Sequence, residues 1–271
     1  MSKFTIHGAR GTIPAPGKDF LKYGGNTTCF SLKTDQGIIV IDAGTGISAL
    51  DRSIPKGNET PQITLLFTHF HLDHVIGLPV FHSLCNPNAD ITVMSDPDRL
   101  DDWQTTLKTI VSEPYWPVNL MNFGAHMRCR NLDHKKGILE LYGARISWCR
   151  VWHPQQCLAY RIQTPECVIV IATDTEHGNA KFDALFLEFC QNADFLIYDA
   201  HYTPEEYIAH KGWGHSTWKE GVRIAHEAHV RKLILTHHDQ NRHDDQVDDM
   251  INLARKFFPE TYGAYEGMVL T

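Results

Sequence analysis

The chain reads as an α/β protein built of two sheets in layers with helices outside. Three observations predict this. Short β-rich apolar runs fill the first two thirds of the 271 residues. Strands alternate with helical patterns in the last third. Both parts end their apolar runs on polar residues rather than on more core.

The strands and helices follow in order. Phe4 to Ala9, Cys29 to Lys33 and Gly37 to Asp42 read as strands, and Ile63 to Thr68 is a continuous buried run. Ile91 to Met94 is another short strand. Asp98 to Val111 has a helical pattern, with Asp96 or Pro97 near its start. Ile138 to Leu141 and Arg145 to Trp152 form a predicted hairpin around Tyr142-Gly143-Ala144. Leu158 to Gln163 and Val168 to Ala172 follow as strands. Then come a helix at Lys181 to Gln191, a strand at Phe195 to Asp199, a helix at Thr217 to Ala228 and a strand at Lys232 to Thr236. Asp244 to Phe257 is a helix, and Tyr265 to Leu270 a candidate closing strand. No repeat or low-complexity linker divides the chain, so one domain over residues 1–271 is expected. Tyr115 to Asn131 has weak periodicity and holds aromatics. A loop over a site and an irregular connection are both open for it.

Composition narrows the function. The net charge of −7 argues against a general nucleic-acid binder, since a basic face supplies most affinity for phosphate backbones. A small anionic substrate stays compatible, because bound divalent ions reverse the local field. Seven cysteines are scattered without a C-x-x-C pair. With no apolar segment at Met1 to His7, they read as reduced thiols in the cytoplasm. No apolar run approaches the ~20 residues that span a bilayer, so no membrane partner is expected. The 17 histidines stand out, and their positions decide what they mean.

The strongest signal is His69-Phe70-His71-Leu72-Asp73-His74, directly after the Ile63 to Thr68 run. Alternate residues at a strand end point the same way, so His69 and His71 can share one ion. The turn that follows can send Asp73 and His74 to a second. Imidazoles with a carboxylate suit zinc, and also iron, manganese or cobalt. A solvated polar strand end is the bland alternative, but packing has no need of this pattern. Four groups do not fill two coordination spheres. His153, Asp174 and His237 each follow a later apolar run and are candidates for the rest.

In order and residue type, His69 to His74, His153, Asp174 and His237 resemble the metallo-β-lactamase superfamily, over nearly the whole chain. The resemblance implies a four-layer αβ/βα sandwich with two divalent ions at the sheet edges, Zn²⁺ first and Mn²⁺ or Fe²⁺ next. It implies that His69, His71 and His153 hold one ion, Asp73, His74 and His237 the other, and that Asp174 bridges them. Asp42 matches the family's buried acid beneath the cluster, orienting the ligands. Asp199-Ala200-His201-Tyr202 and Gly214-His215-Ser216-Thr217 look like the phosphodiesterase branch that includes ribonuclease Z. There His215 would protonate the leaving oxygen, held by Asp199. The plainer reading is that the His215 segment simply caps a helix. Asp73 has a second candidate task, orienting the attacking water.

No basic insertion of the kind that grips transfer RNA is present. Gly8 to Gly17 and Tyr23 to Thr27 instead resemble smaller enzymes related to cyclic-nucleotide phosphodiesterases. Arg10 could meet a phosphate there or pair within the structure. Asn26 could bond near the ions or only shape its turn. The expectation is hydrolysis of a small phosphodiester, a cyclic nucleotide first, with no long nucleic acid as partner. Homodimerisation stays open, dimers being the commonest assembly. Rivals are a same-fold hydrolase of a lactone, thioester or β-lactam, a di-iron redox protein, and a non-catalytic nucleotide sensor that keeps its ions. The redox pattern needs a carboxylate where His71 stands.

Overall fold

The computed structural model describes residues 2–55, 62–96, 102–133 and 137–271. Two seven-stranded sheets form the centre. The strands of the first are β1 (Lys3–Gly8), β2 (Cys29–Lys33), β3 (Ile38–Ile41), β4 (Ile63–Leu66), β5 (Asp90–Ser95), β6 (His126–Asn131) and β14 (Val269–Leu270). Their order is β14-β1-β2-β3-β4-β5-β6. The second sheet runs β13-β12-β11-β10-β9-β8-β7. Its strands are β7 (Ile138–Leu141), β8 (Ala144–Val151), β9 (Cys157–Gln163), β10 (Val168–Ala172), β11 (Phe195–Asp199), β12 (Lys232–Thr236) and β13 (Thr261–Gly263).

Strand alternation sorts the apolar side chains into three cores. Ile39 and Ile41 of β3 face Ile169 and Ile171 of β10 and Ile197 of β11 in a core between the sheets. The alternate residues Ile38 and Val40 join an outer core with α1 (Ile47–Arg52) and α3 (Trp103–Ile110). On the far side, Val170, Ala172, Leu196 and Tyr198 pack under α4 (Ala180–Phe189), α6 (Trp218–Glu227) and α7 (Asp244–Arg255). Helix, sheet, sheet, helix is the four-layer sandwich expected.

The expected strands and long helices form, with ends that coincide or are displaced by up to four residues among those described. Helix α3 begins at Trp103, with the Asp102 side chain accepting from the Gln104 amide. The proposed earlier start at Asp98, beside Pro97, lies outside the described residues. The hairpin turn at Tyr142-Gly143 uses positive φ at both positions, 51° and 78°, as a tight two-residue hairpin requires. Tyr115 to Asn131 is not irregular throughout. Its last six residues are the edge strand β6, paired parallel with β5 from Asp90↔His126 to Ser95↔Asn131. Exposed charged residues on that strand hide its alternation.

The topology decides where chemistry can gather. Strands β3 and β4 are parallel, as are β10, β11 and β12. Strand β8 shares the direction of β10, because both run antiparallel to β9. The carboxyl ends of β3, β4, β8, β10, β11 and β12 therefore open on one edge of the sandwich. Crevices outside such ends are the usual ligand positions of open α/β sheets.

Candidate metal centre and active site

Five of the strands that end on this edge deliver a side chain to one cluster. Strand β4 is followed by His69 and His71, then by the short helix α2 (Leu72–Val75) with Asp73 and His74. His153 follows β8, Asp174 follows β10, Asp199 ends β11 and His237 follows β12. One donor atom each from His69, His71, His153 and Asp174 lies within 4.8 Å of the others, and the same limit holds for Asp73, His74 and His237. Asp174 touches both groups. Its Oδ1 is 3.7 Å from His69 Nε2, and its Oδ2 is 3.1 Å from His74 Nε2.

These groups fit divalent ions better than they fit one another. His69 Nε2, His74 Nε2 and Asp174 Oδ2 are buried without an aligned hydrogen-bond partner. Unpaired buried polar atoms are costly, so several aimed into one small volume need a shared partner. Imidazole nitrogens with carboxylate oxygens are the donor set of zinc, manganese and iron sites. The electrostatics agree. Burial opposes a charged His74, yet Asp73, Asp174 and Asp42 hold its pKa well above the ordinary imidazole value. Burial likewise opposes charge on His237, but Asp174 and Asp73 raise its pKa to about 9. The carboxylates thus make a place for positive charge, which protons and metal ions compete to fill.

The surroundings orient the donors. Asp42 is fully buried, accepts from the Thr68 amide and hydroxyl at 2.8 Å each, and lies 2.7 Å from His74 Nδ1. That contact turns His74 Nε2 toward the cluster. His153 Nδ1 meets the Gly214 carbonyl at 2.9 Å, leaving Nε2 facing His71 Nδ1 at 3.3 Å. Gly214 has φ +89°, and a Cβ there would sit 2.3 Å from His153 Nδ1. Gly11 is pressed as closely on the His237 ring, also at 2.3 Å. The Thr12 amide donates to Asp73 Oδ2 at 2.8 Å.

His215 and Asp199 stand beside the cluster. His215 Nδ1 is 2.9 Å from Asp199 Oδ2 and 3.9 Å from Asp174 Oδ1. The other Asp199 oxygen accepts from the His201 amide at 2.9 Å and the Ser216 amide at 3.3 Å. The helix cap next to His215 is Thr217, whose hydroxyl accepts from Glu220 N. Capping is therefore done by a neighbour, and the His215 ring remains available.

Two expectations are corrected. Arg10 is fully buried, and its guanidinium is used within the protein. Nε donates to Gly24 O at 2.8 Å, Nη1 to Arg242 O at 2.7 Å and Asp239 O at 3.2 Å, and Nη2 to Asp244 at 3.4 Å. Four of its five N–H groups are thus used inside the protein and the side chain is closed off from solvent, so it does not present itself to a phosphate. Asn26 donates from Nδ2 to Glu266 Oε2 at 2.9 Å, and its backbone N–H to Oε1 of the same residue at 2.8 Å. It shapes the turn.

Other residues at the site had escaped attention. His201 stacks on His215 with ring centroids 4.6 Å apart, while its Nδ1 bonds the His237 carbonyl at 3.0 Å. Its Nε2 lies 3.3 Å from Asp239 Oδ2. Its spacing two residues after Asp199, in a histidine-rich chain, was the available signal. Glu176 is buried and accepts from the Gly212 and Gly214 amides at 2.6 and 2.8 Å. Nothing local marks it, because its partners lie 36 and 38 residues away.

Comparison with known proteins places the chain. The profile of the Beta-lactamase superfamily domain matches residues 38–238. A ribonuclease Z of Agathobacter rectalis is 25% identical over 311 aligned positions, covering 94% of this chain and 93% of that protein. The ribonuclease Z of Archaeoglobus fulgidus is 40% identical over 97 residues, a match that spans 34% of this chain and only 30% of the relative's length. Among solved structures, the metallo-beta-lactamase fold protein YhfI of Bacillus subtilis superposes with a TM-score of 0.75 at 19% identity, covering both chains fully. The chain belongs to the beta-lactamase superfamily, with sequence relatives on its ribonuclease Z branch.

Proposed function

We propose that this chain is a metal-dependent phosphodiesterase that hydrolyses a small phosphodiester, a cyclic nucleotide in the first instance. The observation that carries the proposal is the His215–Asp199 pair, 2.9 Å long, beside a cluster of seven convergent donors. Acyl transfer from a lactone, thioester or β-lactam has less use for a buried carboxylate-held imidazole on the leaving-group side. Cleavage of a phosphodiester expels a strongly basic alkoxide and does need one.

Two divalent ions are the reading for the cluster, since the donors divide into two groups that share Asp174. His69, His71 and His153 would hold one, Asp73, His74 and His237 the other, with Zn²⁺ the first choice. Bound there, the ions supply Lewis acidity to the phosphoryl oxygens and a water of lowered pKa. The remaining work belongs to the chain. Asp42 fixes the His74 ring, and the Gly214 carbonyl fixes His153, so both rings arrive already oriented. Asp73, pinned by the Thr12 amide, has an oxygen edge with which to align a water. Asp199 holds Nδ1–H of His215, so that Nε2 carries the proton for the departing oxygen. His201, stacked on His215 and bonded to the His237 carbonyl, keeps acid and ligand in register.

The relatives' name raises a second reading, processing of RNA. The net charge of −7 weighs against a long polyanion. Seven free cysteines suit a reducing compartment such as the cytoplasm. Among the described residues, no helix is long and apolar enough to cross a membrane. The test is metal analysis of the purified protein together with turnover of bis(4-nitrophenyl) phosphate, a cyclic nucleotide, a transfer-RNA precursor and an acyl lactone. Two metal equivalents with cyclic-nucleotide turnover are expected. Lactone turnover without phosphodiester cleavage would overturn the proposal. Precursor cleavage alone would transfer it to RNA, and tight nucleotide binding with no turnover at all would make the chain a sensor.

A further inference from the structure

The segment between Tyr202 and Gly214 leads directly to His215, and it is built to stay still. It contains the short helix α5 (Pro204–Tyr207), closed by a Thr203–Glu206 capping box. Arg242 ties it down, donating to Glu206 Oε2 at 2.6 Å and to the His201 carbonyl at 3.2 Å. Its far end is gripped by Glu176. Oε1 accepts from Gly212 N at 2.6 Å and from the Tyr207 hydroxyl at 3.0 Å, and Oε2 from Gly214 N at 2.8 Å. The residue between the two gripped glycines is Trp213.

Trp213 is 62% exposed. A single exposed apolar side chain needs no explanation by itself. Here the backbone on both sides is fastened to a buried carboxylate, and the ring belongs to a continuous aromatic file. Trp213 meets His210 edge-on at 4.9 Å between centroids, and His210 stacks on Tyr202 at 4.6 Å. Tyr202 in turn approaches His215 at 6.0 Å. The file runs from the catalytic imidazole to solvent and ends in an open indole. Indole is the largest flat surface a side chain offers, and base-on-aromatic stacking accepts any nucleobase.

On the phosphodiesterase reading above, we propose that Trp213 is a stacking platform for the nucleobase of the substrate, so that the site selects nucleotide esters over simple alkyl phosphodiesters. Trp213 determines specificity here and takes no part in bond breaking. Lys211 is also exposed on this segment.

Calorimetric titration of the full-length, metal-loaded protein tests this, with adenosine 5′-monophosphate and its base-free counterpart ribose 5-phosphate as probes. Wild type should bind the nucleotide roughly 5- to 150-fold more tightly, the span of one base–aromatic stack. Trp213→Phe should keep most of that ratio. Trp213→Ala and Trp213→Leu should bring it near one, with metal content unchanged. A wild-type ratio near one, or a ratio that survives in Trp213→Leu, would overturn the proposal. Failure of the reaction reading is seen separately, as wild type that carries metal and binds either probe but cleaves no phosphodiester.

Discussion

Replacing Asp199 by Asn isolates the acid from the ions. Asp199 is fully buried, and one of its oxygens already accepts from the His201 and Ser216 amides. An amide side chain must keep its carbonyl on those two donors, which turns its NH₂ toward His215 Nδ1. That nitrogen must then accept a hydrogen bond instead of donating one. The proton is confined to Nε2 of a neutral imidazole, a very weak acid, and the positive form loses its counter-ion. The whole value of general-acid help is at stake, about 10²–10⁴ in rate, or roughly 3–5 kcal/mol of barrier. The assay compares two leaving groups on one nucleoside. Thymidine 5′-(4-nitrophenyl) phosphate expels 4-nitrophenolate, which leaves unaided, while a dinucleoside monophosphate expels an alkoxide, which does not. Asn at 199 should cut kcat for the second by the full factor and for the first by less than about tenfold, with metal content intact. Equal losses on both substrates would refute the reasoning, and loss of metal would make His215 a ligand.

Three further outcomes follow from the same geometry. Gly214→Ala forces a Cβ to 2.3 Å from His153 Nδ1 at φ +89°, at a backbone cost of about 1–2 kcal/mol; metal content measured by mass spectrometry should fall while circular dichroism stays native. Asp42→Asn removes the carboxylate 2.7 Å from His74 Nδ1 and should weaken metal binding about 10- to 100-fold, read by competition with a chromophoric chelator. His7 concerns stability alone. Burial, then Lys33 and Lys3, lower its pKa from 6.5 to about 4. The neutral form is the one the fold accepts, so its contribution is complete above pH 6.5 and is lost as pH falls from there toward 4. Protonation there costs about 3 kcal/mol at most, and His7→Gln should flatten the decline of the urea midpoint between pH 6.5 and 4.

The sequence carried more of the site than of its surroundings. His69 to His74 was legible because four donors in six positions have no packing purpose. His153, Asp174 and His237 were legible as polar residues stopping apolar runs at a common edge. Strand β6 was hidden because none of its residues is fully buried and its exposed positions are polar or charged, and α5 because four residues are too few to show a helical period. Arg10 misled for a different reason. An arginine in a glycine-rich turn looks the same whether it awaits a phosphate or satisfies carbonyls from residues 24, 239 and 242. Glu176 acts through partners remote in the chain, and only the folded arrangement reveals it.

The Arg10 junction also bears on what holds the centre together. Gly11 N donates to His238 O, and His238 N to Ala9 O, at 3.0 Å each, so the turn after β1 is stitched to the turn after β12. Opening that seam would take Gly11 away from the His237 ring it lies against. On the two-ion reading, an ion held by Asp73, His74 and His237 would tie the turn after β12 to α2 as well, so chelation should lower the midpoint of thermal unfolding.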